Sequence, residues 1–311
     1  MKQKSFRSIL PFFEEGARGS LLLIALLSAL SLNAQMLKVY KGGAMVYCME
    51  NADSVVFCSL PKDAFSVSAT KQVRFSPGNL QYTRSTQTWS FADNQYDMIG
   101  TANISNGTLA DKIDLFGWSG STATAEWGIS TSQDAEDYSG DFVDWGTNTI
   151  GTDAPDIWRT LTNDEWSYLL SGRTNANNLI GVAHINLNAD GSRYANGIVF
   201  LPDYWICPAG VTFKSGFADT YTVQAYADHQ TFTLADWQLL EAAGAVFLPA
   251  SGHRLGADMY WVQNVGYYWS TTPLAGISGF ALYLGFTPNE MGAAFDDTRS
   301  HGYAVRLVQD L

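Results

Sequence analysis

Two groups of residues have side chains suited to catalysis or metal binding. The first is acidic: Asp134, Glu136, Asp137, Asp141 and Asp144 crowd one stretch. A calcium ion takes about 6–8 oxygen ligands, so this run reads first as a solvated acidic loop and only second as a cation site. The second comprises His184, His229, His253 and His301, with Cys48, Cys58 and Cys207. None has the spacing of a zinc site. Each histidine is expected at the surface or satisfied in the core, and Cys207, between Ile206 and Pro208, as a small buried hydrophobe. Gly117-Trp118-Ser119-Gly120 lacks the glycine spacing of a nucleophile elbow. No carboxylate pair stands out for glycoside hydrolysis, which needs a defined separation. The expectation is a protein with no catalytic residue, no metal and no cofactor.

A third group suits recognition. Tyrosine and tryptophan offer large contact area at low entropy cost, as in antibody loops. Trp158, Trp166, Trp205, Trp237 and Trp269 sit in helix or strand patterns and are assigned to the core. Tyr260, Trp261, Tyr283 and His301 lie in or beside Gly/Asn/Ser-rich segments and are assigned to a binding surface. Residues 280–286 alternate, which predicts a strand with Leu282, Leu284 and Phe286 buried and Ala281, Tyr283 and Gly285 exposed. A slip of one residue would reverse the two faces. Asn289, Asp296, Asp297, Ser300 and His301 are expected on the following connection, free to hydrogen-bond in many directions. The candidate ligand-binding set is therefore Tyr260, Trp261, Ala281, Tyr283, Gly285, Asn289, Asp296, Asp297, Ser300 and His301.

The elements that must position these residues have local signatures. Thr162 followed by Glu165, with Leu161 and Trp166 as a hydrophobic staple, predicts a helix start. Thr233 and Asp236, with Phe232 and Trp237, repeat that layout. Gly172 and Gly244 are plausible stops. Val199-Phe200-Leu201-Pro202 and Val246-Phe247-Leu248-Pro249 echo one another and suggest a pseudo-repeated core. Residues 266–270 and 303–308 read as further strands.

The N-terminal region is organised differently. Lys2, Lys4, Arg7 and Arg18 precede an apolar run from Leu21 to Leu32, followed by Asn33-Ala34-Gln35. Residues 1–34 are read as a secretory signal cleaved near Ala34, with a retained anchor as the alternative. The run falls short of the about 20 apolar residues of a membrane span, so none is expected after removal. Residues 35–60 form a small β module: a strand over 37–41, a Gly42-Gly43 turn, a return strand over 44–49 and a third strand over 54–57. A Cys48–Cys58 disulfide is left open. Residues 61–63 are the linker, and 64–311 the main domain.

Composition narrows the partners. The chain has 311 residues, with 30 Asp+Glu against 18 Lys+Arg, a net charge of -12. Only 15% of residues are charged and 14% are aromatic, which excludes a disordered chain. Nucleic acid is excluded too, because an acidic surface repels the phosphates that dominate such binding.

Four blocks in order, WRTLTNDEWSYLL (158–170), VFLPASGHR (246–254), GYYWSTT (266–272) and GYAVRLV (302–308), resemble the C-type lectin-like fold. The branch is that of formylglycine-generating enzymes and Fibrobacter-paralogous surface domains. FSVSATKQVRFSPGNLQY (65–82), IDLFGWSGS (113–121) and the N-terminal KVYKGG…ADSVVF resemble exported Bacteroidetes surface proteins. The resemblance implies an α+β fold with two helices, a small twisted antiparallel sheet and long loops, preceded by the hairpin module. It assigns Arg299 and Arg306 to framing roles, Arg306 pairing with a carboxylate or loop carbonyls. Some relatives are targets of diversity-generating retroelements, and 274–301 is the corresponding stretch. Formylglycine-generating relatives use a cysteine pair in the C-terminal part, where this chain has none. Calcium lectins use a Glu-Pro-Asn type triplet, and Thr287-Pro288-Asn289-Glu290 has those residue types in another order. The expected function is an exported, non-catalytic, adhesin-like protein presenting its C-terminal loops to a glycan or protein ligand. The alternative is a structural subunit or tip of a cell-surface assembly.

Overall fold

The computed structural model describes residues 36–41, 44–50 and 61–311. The chain divides into two compact units between Ser59 and Leu60. In the first, Met36–Lys41 and Ala44–Glu50 form the expected antiparallel hairpin, with Val39 opposite Tyr47 and Lys41 opposite Ala44. The leader 1–34, the Gly42-Gly43 turn, the third strand over 54–57 and Cys58 lie outside the described residues.

The second unit is mixed α/β, with few helices and many small, mostly antiparallel sheets. Both capping boxes form. Helix α1 (Asn163–Ser167) starts with Thr162 Oγ1 accepting from the Glu165 N–H at 3.1 Å, while Glu165 Oε2 accepts from the Thr162 N–H at 3.0 Å. Helix α2 (Val223–His229) was not legible in the sequence. Thr222 caps it, but the position paired in a capping box is Ala225, so half the signal is missing. Helix α3 (Leu234–Ala242) starts with the reciprocal bonds between Thr233 and Asp236 and buries Trp237 and Leu240. Gly244 ends it at φ 103°, where a Cβ would run into the Lys62 carbonyl. Gly172 is also the last helical residue, but without a positive φ: α1 continues as a wider π turn over Tyr168–Gly172, and Arg173 is already extended.

A four-stranded sheet runs in the order Thr231–Thr233, Ile180–Asn186, Tyr194–Phe200, Val246–Pro249. The two Val-Phe-Leu-Pro echoes are neighbours in it, Val199 facing Phe247 and Phe200 facing Val246. The echo thus marks two adjacent antiparallel strands. The C-terminal sheet has Gly266–Pro273, Phe280–Phe286 and Met291–Thr298 in that order, with Phe280–Phe286 central. At the chain end only Val308–Asp310 is a strand, paired with Gln72–Phe75, while Tyr303 and Ala304 make single bridges to Phe116 and Tyr268.

The central strand corrects the expected faces. Leu284 and Phe286 pack with Tyr268 and Ala304 on one side, and Ala281 packs with Trp269 and Tyr303 on the other. Core lies on both sides of this sheet, so alternation does not separate inside from outside. Ala281 is 0% exposed and Gly285 is buried, against expectation, and Leu282 is only half-buried. The pairing register also shifts between Tyr283 and Gly285, because Met291–Thr298 has one residue extra there.

Three further expectations fail on contacts the sequence does not reveal. Asp296 and Asp297 lie on the Met291–Thr298 strand, not on a connection. Arg306, 1% exposed, donates to the amide oxygens of Asn79 at 3.3 Å and Gln95 at 2.7 Å, rather than to a carboxylate or loop carbonyls. Cys207 is exposed, its thiol donating to the Val211 carbonyl at 3.3 Å. Arg299 does frame the fold: its guanidinium lies 4.0 Å from the Trp118 ring centre and donates to the Phe280 and Gly140 carbonyls. Among the described residues no helix is long and apolar enough to cross a membrane.

Candidate functional site

The C-terminal sheet sets a row of rings side by side. Trp269, Tyr283 and Phe295 are opposite one another on the three strands, and Tyr267 lies two residues before Trp269. Tyr283 is 5.6 Å from Tyr267 and 5.8 Å from Phe295, centre to centre. Tyr303 packs behind them, 4.8 Å from Tyr267 and 4.9 Å from Tyr283. Small residues make room for this. A Cβ on Gly285 would come within 2.9 Å of the Tyr283 ring and 3.0 Å of Phe295, and one on Gly292 within 2.9 Å of Phe295. Gly285 is therefore a spacer beneath the rings, buried although it lines the cleft they flank. Tyr267, Tyr283, Phe286, Phe295, Thr287 and Glu290 surround an open cleft of about 170 Å³. Phe295 at its rim is 42% exposed.

A polar edge adjoins the row. Tyr303 donates its hydroxyl to Asp297 Oδ2 at 2.6 Å, and the Thr298 N–H donates to Asp297 Oδ1 at 2.7 Å. His301 Nδ1 lies 3.2 Å from Asp297 Oδ1 and 2.7 Å from Thr298 Oγ1. His253 closes the group. Its ring is 5.4 Å from His301, stacks on Tyr260 at 5.3 Å and meets the edge of Tyr267 at 5.1 Å. Its Nδ1 is buried without a hydrogen-bond partner among the described residues. Burial, and then the neighbouring His301, push its pKa down to about 4, so the ring is neutral near pH 7. Burial, and then Asp297, push Tyr283 up to about 12 and raise Tyr303, while burial and then Tyr283 raise Tyr267, so these phenols stay neutral.

Of the expected residues, the fold brings Tyr260, Tyr283, Asp297 and His301 into one network. Asp296 is exposed on the strand, and Asn289 is exposed in the 287–290 turn, where its Oδ1 accepts from the Thr287 hydroxyl. Trp261, 52% exposed, follows Tyr260 on a turn with φ 58°. Ser300 is 1% exposed and Ala281 is buried, so neither can touch a ligand. Sequence reasoning missed His253, Tyr267, Phe295, Tyr303 and Glu290. The alternation of Tyr267-Tyr268-Trp269 could have pointed to Tyr267. His253 and His301 meet only through the pairing of Arg254 with Gly302, which no local pattern signals.

The acidic stretch serves its own turns. Asp134 caps the turn at Ala135–Tyr138, Asp144 accepts from Gly146 and Thr160, and Asp137 accepts from the Thr124 hydroxyl. No family model, curated protein or solved structure matches this chain.

Proposed function

We propose that this chain is an exported, non-catalytic ligand-binding protein that meets a glycan or protein ligand with its C-terminal face. The row of half-buried Tyr267 and Tyr283 and exposed Phe295, beside an open cleft, carries the reading. An aromatic row that packs on the core from behind, held by spacer glycines, still presents apolar area to solvent, which favours a recognition role. Tyr260 and Trp261 extend the same kind of surface nearby. A C-type lectin-like fold is the finer reading of the second unit, supported by its two boxed helices and its three-stranded C-terminal sheet. The basic leader and apolar run over 1–34 support export.

Screening the purified full chain on glycan and protein arrays tests this. The expected result is capture of a ligand, weakened at least tenfold by Phe295→Ala with unchanged melting temperature. A ligand captured equally by wild type, Phe295→Ala and Tyr260→Ala would remove the C-terminal face from consideration.

A further inference from the structure

The cleft beside Tyr283 has a narrower chemistry than ligand binding in general requires. Tyr267, Tyr283, Phe286 and Phe295 supply four aromatic rings, and the polar side chains are the phenols, Thr287 and Glu290. The Thr287 hydroxyl is already engaged. It donates to Asn289 Oδ1 at 2.8 Å and faces the N–H groups of Asn289 and Glu290 at 3.3 and 3.2 Å. Glu290 is exposed and belongs to none of the salt bridges among the described residues. None of the described lining residues is basic.

Aromatic rings attract cations through the negative pole of their quadrupole. A carboxylate beside them adds a full negative charge, and the chain's net charge of -12 gives the distant field the same sign. A sugar would bring many hydroxyls to a wall whose single ionised acceptor is Glu290. A primary ammonium would bring three N–H donors to that same carboxylate. A quaternary ammonium has no N–H to satisfy and presents only methyl groups to the rings.

We infer that this cleft binds a quaternary alkylammonium head group, with Tyr267, Tyr283 and Phe295 around the methyl groups and Glu290 opposing the charge. The inference rests on the ligand-binding reading of the C-terminal face and assigns this cleft one chemical class in place of the glycan or protein ligand. The same head group occurs on free choline-type molecules and on lipid surfaces.

Calorimetric titration of the full chain with choline and with 3,3-dimethylbutan-1-ol, its uncharged carbon isostere, tests it. Choline is expected to bind at least tenfold more tightly than the isostere. Glu290→Gln should weaken choline at least threefold and leave the isostere unchanged, and added salt should act in the same direction. Phe295→Ala, at an exposed position, should remove both without lowering the melting temperature. Co-sedimentation with phosphatidylcholine vesicles, but not with phosphatidylglycerol vesicles, assigns the head group to a lipid. Choline binding without co-sedimentation assigns it to a free molecule. Equal binding of choline and its isostere, or no choline binding, overturns the inference. If choline fails while an array ligand is still lost in Phe295→Ala, the broader binding role survives. If that variant also retains the array ligand, both fall.

Discussion

The hydroxyl of Tyr303 reaches Asp297 Oδ2 at 2.6 Å and joins a residue that is 1% exposed to a solvent-facing strand. Tyr303 touches Tyr267, Trp269 and Tyr283, so this bond, together with the backbone bridge to Phe116, fixes the support of the aromatic row. Asp297→Ala leaves a buried hydroxyl without its acceptor and should cost about 1–3 kcal/mol. Tyr303→Phe removes the donor and leaves Asp297 partly hydrated, and should cost about 0.5–1.5 kcal/mol. Urea unfolding of both variants checks the order, and a larger loss in Tyr303→Phe would show that the bond does not organise the site.

The helix starts give a second test. Thr162→Ala and Thr233→Ala each remove an acceptor for a first-turn N–H. Each should destabilise the second unit by about 0.5–2 kcal/mol. Denaturant melts indistinguishable from wild type would contradict the cap geometry.

The faces of the central strand can be probed by enlargement and by truncation. Ala281→Leu should cost about 1–3 kcal/mol, because Ala281 is fully buried in the cluster that also holds Trp269 and Tyr303. An outward-facing alanine would tolerate the change. Leu284→Ala should cost about 2–5 kcal/mol as a core truncation. Tyr283→Ala should lower both ligand affinity and stability, because its ring also packs on Tyr303. That makes Phe295→Ala the cleaner probe of binding.

Acid should act through His253. Its folded pKa, about 4, lies below the ordinary value of 6.5, so between these limits the unfolded chain binds more protons than the folded one. Stability present above about pH 6.5 is therefore lost as the pH falls towards 4. Asp114 works the other way: burial raises its pKa to about 6, so it contributes stability below pH 3.8 that is lost as the pH rises through 6. Comparing wild type with His253→Gln cancels Asp114, which both proteins share. The stability difference between the two should shift in favour of the variant as the pH drops from 6.5 to 4. A difference constant over that range would mean that His253 is hydrated in the folded state.

Much of the frame was legible in the sequence because it is written within a few residues. The capping boxes at Thr162 and Thr233 span four positions each, and the N-terminal hairpin is set by alternation around two glycines. The strands at 266 and 280 follow from alternation as well, and Arg299 has the framing role that the resemblance implied. The site was legible only in part. Tyr260, Tyr283, Asp297 and His301 were named, but as members of a loop surface, whereas Tyr283 and Asp297 stand on paired strands.

The sequence by itself determined where helices begin, because a cap is a contact between residues three apart. It also determined that 280–286 is a strand, because its side chains alternate. The tertiary structure decided which side of that strand faces water. With packed side chains on both sides, Ala281 and Leu284 are both buried although they point to opposite faces, and polarity along the strand no longer distinguishes the sides. It also decided that His253 and His301 meet, since the bridge between Arg254 and Gly302 joins residues separated in the chain by the whole C-terminal sheet. It decided, too, that Asp297 receives the Tyr303 hydroxyl, because a bulge in Met291–Thr298 changes which residues face the central strand.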